Sequence, residues 1–444
     1  MSADLAALAV DGWTDPERLF AAHEATLDGA FWLDAGREAD TGWSYLGRGE
    51  RETDAGAVRS VRCDTTPAGE WPAGPFHGGW VGWLGYERGA AIAGAPIAEP
   101  DEGIPEEVWL RAERFAAFDH ARREIWAVAP GVEAEEWAAE LAARVAAATD
   151  PVPDTTLPAA ASATVAGRHD PETYATLIER CRDAIREGDA YQLCLTTRFE
   201  LTASADHPLD PAAAYRRLRA SSPAHHGGYI RGGDVALLSA SPEQFLTVAG
   251  GVVRTRPIKG TRPRAADAAA DAALAAELRA DRKERAENVM IVDLMRNDLS
   301  RVSDPGSIRV EGLLEVESYA AVHQLVSTVS GRLRPGSTVD DLLVACFPAG
   351  SMTGAPKLSA MTILHRLEGG PRGIFAGCFG YVGRDGSADL AMIIRSIVTH
   401  PGGAYVGAGG GITWLSDAAA EVAEVGIKAR APLAALGAPL PPGW

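Results

Sequence analysis

Apolar and polar positions along this chain repeat with two different periods. From 171 to 187 (PETYATLIERCRDAIRE) apolar residues return every three or four positions, which predicts an amphipathic helix closed by Gly188. Similar spacing predicts helices over 134–148, 339–347, 356–367 and 417–431, and a long helical stretch over 265–299. Apolar runs bounded by turn residues predict strands at GGWVGWLGYE (78–87), YQLCLTTRFEL, VALLSA, GGVVRTRPI, FAGCFGYVG and LAMIIRSIVT. Strands neighbour strands too often for a strict βαβ alternation, and no internal repeat has a fixed period. The pattern predicts a mixed α/β (α+β) body with large antiparallel sheets. A Pro-, Ala- and Thr-rich stretch without period divides it: a first segment at 1–148, a linker or surface connection at 149–168, and the main segment at 169–444.

Composition narrows the function classes. The formal charge of −18 gives no basic field for nucleic acid or an anionic membrane, so neither is expected as a partner. No apolar run is long enough to span a bilayer, and the first twenty residues lack the pattern of a signal peptide. The five cysteines are scattered without C-x-x-C spacing, which fits reduced thiols and a cytoplasmic location. Of the 42 basic residues only Lys259, Lys283, Lys357 and Lys428 are lysines. A lysine can lose its proton and act as a nucleophile, whereas arginine effectively cannot. The four are therefore candidates for work that needs an amine.

Three constellations carry candidate chemistry. In RTRPIKGTRPR (254–264) four arginines surround Lys259, and Gly260 permits a sharp turn. Neighbouring positive charge is expected to push the Lys259 pKa down. Two E-x-x-E pairs, Glu284/Glu287 and Glu421/Glu424, each place two carboxylates on one helix face, an oxygen-rich set that suits Mg²⁺ if the pairs oppose each other. PAGSMTGAPK (348–357) leads into a helix and offers Thr353 and Lys357 to an anion. With GAGGGI (407–412) and Arg395 it sketches an anion pocket. Glu243, after a strand in SASPEQF, is placed as a general acid would be. Cys378 lacks the G-x-C-x-G spacing of a glutaminase nucleophile.

Together these motifs, with GDAYQLCLTTRF, RAENVMIVDLMRNDLSRV, VHQLVST and EVAEVGIKA, resemble the chorismate-utilising enzymes, and among them the component I chains of the aminodeoxychorismate and anthranilate synthases. The resemblance runs from about residue 78 to the C-terminus and is densest after 169. It implies two large antiparallel sheets around a central cleft, with helices outside. It implies Mg²⁺ between Glu287 and Glu424, assisted by Glu284 and Glu421. Chorismate would be held by Thr353, Lys357, Tyr381, Arg395, Gly409, Gly410, Gly411, Lys428 and Gln192. Water-adding relatives carry a lysine at the Gln192 position, and anthranilate synthases usually carry alanine at that of Lys259. Lys259 is then implied as a nucleophile and Glu243 as its proton donor, in an amination of chorismate for p-aminobenzoate and folate synthesis. Ammonia is expected from a separate glutamine amidotransferase subunit. Many relatives place a histidine directly before the I/L-V-S of VHQLVST, where this chain has Gln324 and, one residue earlier, His323.

Overall fold

The computed structural model describes residues 4–37, 39–65, 71–148, 164–203, 209–319 and 322–444. Every strand pairing among them is antiparallel. The strand Glu107–Asp119 is the hinge of the whole network. One of its edges carries Trp43–Arg51; the other carries Gly79–Leu84 along its first half and Glu124–Pro130 along its second. Two sheets leave from there.

The first sheet runs from Trp43–Arg51 through Ala30–Asp34, His226–Gly232, Val235–Ser241, Ser396–His400 and Gly403–Ile412 to Gln192–Thr202. The second runs from Gly79–Leu84 through Cys378–Gly383, Ala388–Met392, Gln244–Ala249 and Val252–Thr255 to Val322–Arg332. Ile258–Pro263 and Arg309–Ser318 flank that last strand. The mixed α/β architecture with two antiparallel sheets is therefore observed. The segments before and after the 149–168 stretch share both sheets; residues 149–163 lie outside the described residues, and Val165–Gly167 pairs with Gln192–Thr202.

Three apolar cores hold the layers together. One packs the first sheet against outer helices through Phe20, Trp32, Tyr174 and Tyr215. A second draws on both sheets, joining Phe31 and Ile230 to Trp83 and Phe379. The third lies between the second sheet and the helices Arg282–Ser300 and Val339–Cys346. Each fully buried aromatic or branched side chain contributes roughly 1.5–3 kcal/mol of transfer free energy.

Local chemistry explains where the structure departs from the periodic pattern. The stretch 265–299 is two helices, Ala268–Ala280 and Arg282–Ser300, because Asp281 adopts an extended conformation between them. Its Oδ1 accepts the backbone N–H of Lys283 (2.9 Å) and of Glu284 (3.0 Å), so it caps a new helix start. The 78–87 run ends as a strand at Leu84, and Tyr86–Ile92 is helical. LAMIIRSIVT is two strands, not one. The chain bends at Arg395, which takes the left-handed region (φ 53°), and passes from the second sheet into the first. Pro242 and Glu243 form the matching crossing between Val235–Ser241 and Gln244–Ala249. The crossings are adjacent: Met392 N–H donates to Glu243 O (3.0 Å) and Ala240 N–H to Arg395 O (3.3 Å).

Candidate active site

The far ends of the two sheets meet at Lys259. Its strand pairs with Val322–Arg332 at Ile258 and again from Thr261, with a register shift between them that takes Lys259 and Gly260 off the ladder. Gly260 makes this possible at φ 79°. From the first sheet, Gly411 and Gln192 approach the same point. A Cβ added to Gly411 would stand 2.4 Å from Gln192 Nε2 and 3.4 Å from Lys259 Nζ. Gln192 is fully buried, and neither its Oε1 nor its Nε2 has a hydrogen-bond partner among the described residues. Such a group costs free energy unless something meets it. Glu243 is buried at the sheet crossing beside Ser351; burial raises its pKa against the pull of Lys259 and Lys428. That shift favours the protonated carboxyl, the form a general acid uses.

The four glutamates face this point from two helix starts, Arg282–Ser300 and Ala418–Ala435, capped by Asp281 and Asp417. Each is met by a cation of the chain itself. Lys259 Nζ lies 3.8 Å from Glu287 Oε2. Lys283 Nζ lies 3.9 Å from Glu287 Oε1 and donates to Glu421 Oε1 at 3.4 Å. Lys428 Nζ donates to Gly409 O and pairs with Glu424 Oε1, both at 2.7 Å. Glu284 is 3.9 Å from Arg262 Nη1. Burial raises the pKa of Glu287 and Glu284, while for Glu424 burial is outweighed by the charge and hydrogen bond of Lys428 together with Lys259 and Lys283, and the pKa is lowered.

Among the described residues no three carboxylate, imidazole or thiolate groups stand together as a formed metal site. The donor set nevertheless suits Mg²⁺, which takes one or two carboxylates and completes its shell with water and substrate oxygens. Glu287 Oε1 is buried without a hydrogen-bond partner among the described residues, and a cation, the Lys283 ammonium, already stands between Glu287 and Glu421. Arg395 is half-buried beside the cluster; burial lowers its pKa and Glu424 opposes that shift. A guanidinium so placed suits a carboxylate.

The profile of one protein family, described as chorismate binding enzyme, matches residues 30–434. The chain belongs to that family. Aminodeoxychorismate synthase of Streptomyces pristinaespiralis is 41% identical over 95% of this chain and 64% of its own length. Its namesake in Streptomyces griseus is 44% identical over 81% of this chain and 50% of its own length. The chain thus spans between half and two thirds of these curated relatives. Anthranilate synthase component 1 of Streptomyces coelicolor is 42% identical, covering 82% of this chain and 73% of that one. The crystal structure of anthranilate synthase component I from Streptococcus pneumoniae superimposes with TM-score 0.72 at 30% identity, covering 97% of this chain and 92% of that one.

Within this chorismate-binding fold, Lys259, Glu243, Gln192, Gly409 to Gly411, Lys428, Arg395 and the four glutamates come together. Thr353 joins them: it is buried, its carbonyl accepts Cys194 N–H (2.8 Å), and Gly354–Ala355 pairs with Gln192 and Leu193. Two residues do not fit the roles expected of them. Lys357 is spent on the fold, because its Nζ donates to the buried Asp298 Oδ2 (2.7 Å) and to Cys346 O (3.3 Å). Tyr381 packs between the sheets on Phe76, with centroids 4.6 Å apart, and lines a separate cavity of about 350 Å³ with Trp43, Phe379 and Asp389.

The expected lowering of the Lys259 pKa is also overturned. The surrounding arginines are neutralised by carboxylates of the chain: Arg254 by Glu311, Arg256 by Glu317, Arg262 by Glu277 and Asp281, and Arg264 by Asp271. Burial favours the free amine, but Glu287 and other anionic neighbours outweigh it, so the Lys259 pKa is raised. His323 is structural, buried between Ser318 (2.7 Å) and Asp271 (3.0 Å). A groove of about 840 Å³ by Arg48, Arg111, Arg114 and Arg144 holds none of the residues above, and Glu50, Glu140 and Glu24 pair with the last three of those arginines.

Two residues escaped the sequence reading. Cys194 lies on the Gln192 face of the same strand, where Lys259 and Lys428 act on its thiol; period-two counting from Gln192 would have found it. Arg372 is buried and donates to Glu368, Met352 O (2.6 Å) and Cys194 O (2.8 Å), tying the Thr353 turn to the Gln192 strand. No local pattern signals it.

Proposed function

We propose that this chain aminates chorismate to 4-amino-4-deoxychorismate in a Mg²⁺-dependent reaction. In this reading it is the component I part of an aminodeoxychorismate synthase, receiving ammonia from a glutamine amidotransferase subunit and serving cytoplasmic p-aminobenzoate and folate synthesis. The observation that carries the reading is a largely enclosed lysine, Lys259, whose charge acts on a buried carboxyl, Glu243, at the glycine-lined meeting of the sheets.

Lys259, as the free amine, bonds to C2 of chorismate while the ring double bond shifts and the C4 hydroxyl leaves as water, taking a proton from Glu243. Ammonia then bonds to C4, the double bond shifts back, and the C2–nitrogen bond breaks to return Lys259. The proton shed by the new ammonium restores Glu243, so chorismate and ammonia become the amino product and water. With C2 occupied, nitrogen is directed to C4. Gln192 offers its unpaired amide and Arg395 its guanidinium to the substrate's polar groups. Glu287, Glu421 and Glu424, with Glu284 beside them, would hold Mg²⁺, whose charge supports the ring carboxylate. Burial favours the free amine of Lys259, and engaging Glu287 elsewhere would remove the strongest of the charges that oppose it.

Product analysis tests this reading. Chorismate, ammonium salt and Mg²⁺ should yield 4-amino-4-deoxychorismate, and Lys259→Ala should abolish it. Fluorescent anthranilate as the product, at an unchanged rate in Lys259→Ala, overturns the reading.

A further inference from the structure

Three of the chain's four lysines stand at the carboxylate cluster, but they are not equivalent. Lys259 is enclosed, with a side chain only 16% exposed. Lys428 is fixed by the Gly409 carbonyl as well as by Glu424. Among the described residues Lys283 has no backbone acceptor for its ammonium, and its side chain is 44% exposed, although Nζ reaches inward to two buried carboxylates. Those are Glu287, whose Oε1 has no hydrogen bond among the described residues, and Glu421, whose Oε1 also accepts the Ser416 hydroxyl at 2.7 Å. Lys283 thus bridges the two helix starts as an external cation would.

We propose that the Lys283 ammonium is an internal counter-cation that occupies the Glu287–Glu421 gap when no divalent ion is bound and must vacate it when one binds, so that Lys283 sets the affinity of the site for that ion. The proposal rests on the Mg²⁺ assignment above. Two like charges cannot share a gap this small, since each repels the other and competes for the same oxygens. A lysine suits the task better than the arginine this chain uses almost everywhere else. Its flexible four-carbon stem carries one compact charge that swings into water at low cost, whereas a guanidinium fork would bind both carboxylates more rigidly.

Calorimetric titration of MgCl₂ into the whole chain tests the competition, without chorismate. Lys283→Met keeps the aliphatic stem and removes the charge. It should bind Mg²⁺ roughly tenfold more tightly or better, and its metal-free form should melt lower than wild type. Lys283→Arg should bind no more tightly than wild type. In wild-type protein with labelled lysine side chains, Mg²⁺ should move the Lys283 signal toward that of a solvated lysine and leave Lys357 in place, a readout that needs no variant to fold. Unchanged or weaker Mg²⁺ binding by Lys283→Met, or a stationary Lys283 signal at saturating Mg²⁺, overturns the competition while the metal assignment stands. Absence of Mg²⁺ binding by wild type and variant alike overturns both.

Discussion

Lys259 Nζ lies 3.8 Å from Glu287 Oε2, so the end of the second sheet and the second turn of the helix Arg282–Ser300 share one largely enclosed charge pair. The carboxylate stabilises the protonated amine against the effect of burial. In protein freed of divalent ions, the Lys259 side chain should therefore titrate above lysine's usual range, and Glu287→Gln should bring it down. With four lysines in the chain, side-chain NMR of labelled lysine follows each directly. A Lys259 titration that ignores the Glu287 substitution would contradict the pairing.

The glycine run separates site from scaffold. Gly411→Ala places a methyl 2.4 Å from Gln192 Nε2, a side-chain end, and should depress chorismate binding more than tenfold in a protein that still folds. Gly409→Ala places its methyl 2.3 Å from the Leu195 carbonyl, which is backbone, and should cost about 1–3 kcal/mol of stability. Melting curves and ligand titrations on the two variants distinguish the effects.

Lys357 makes a stability prediction where a binding role had been expected. Lys357→Ala strands the carboxylate of Asp298, whose side chain is 4% exposed, and should lower stability by about 3–5 kcal/mol. Lys357→Met combined with Asp298→Leu should recover most of the loss. Denaturant unfolding of the three proteins checks this; a single variant as stable as wild type would contradict it.

Much of the site was legible because its parts sit in short windows. The sequence around Lys259 placed it at a strand end with a turn-forming glycine, and E-x-x-E spacing put paired carboxylates on one helix face. Relations across long separations were not legible. The bend at Arg395 lies inside an apolar run that looks like one strand, and only the second sheet's handover to the first explains it. Lys357 looked like an anion ligand beside its glycines because Asp298, which neutralises it, is 59 positions away. The arginines around Lys259 looked like a positive field for the same reason: most of their partners come from other elements.

Glu87 carries a pH dependence. It is buried, accepts the backbone N–H groups of Arg372 (2.7 Å) and Gly373 (2.8 Å), and burial outweighs them to raise its pKa to about 7. A carboxyl raised from 4.5 contributes stability that is complete below that value and lost as pH rises through about 7. Wild type should therefore lose up to about 3 kcal/mol relative to Glu87→Gln between pH 4.5 and pH 8. Parallel stability–pH curves for the two proteins would contradict this.

The covalent role of Lys259 is the centre of the account, and intact-protein mass spectrometry tests it most directly. Incubated with chorismate and Mg²⁺ and denied ammonia, the protein should gain the mass of chorismate less one water, on the peptide containing Lys259, and shed it when ammonium is added. An enzyme that consumes chorismate with no such adduct, and whose Lys259→Ala variant still forms the amino product, would contradict it.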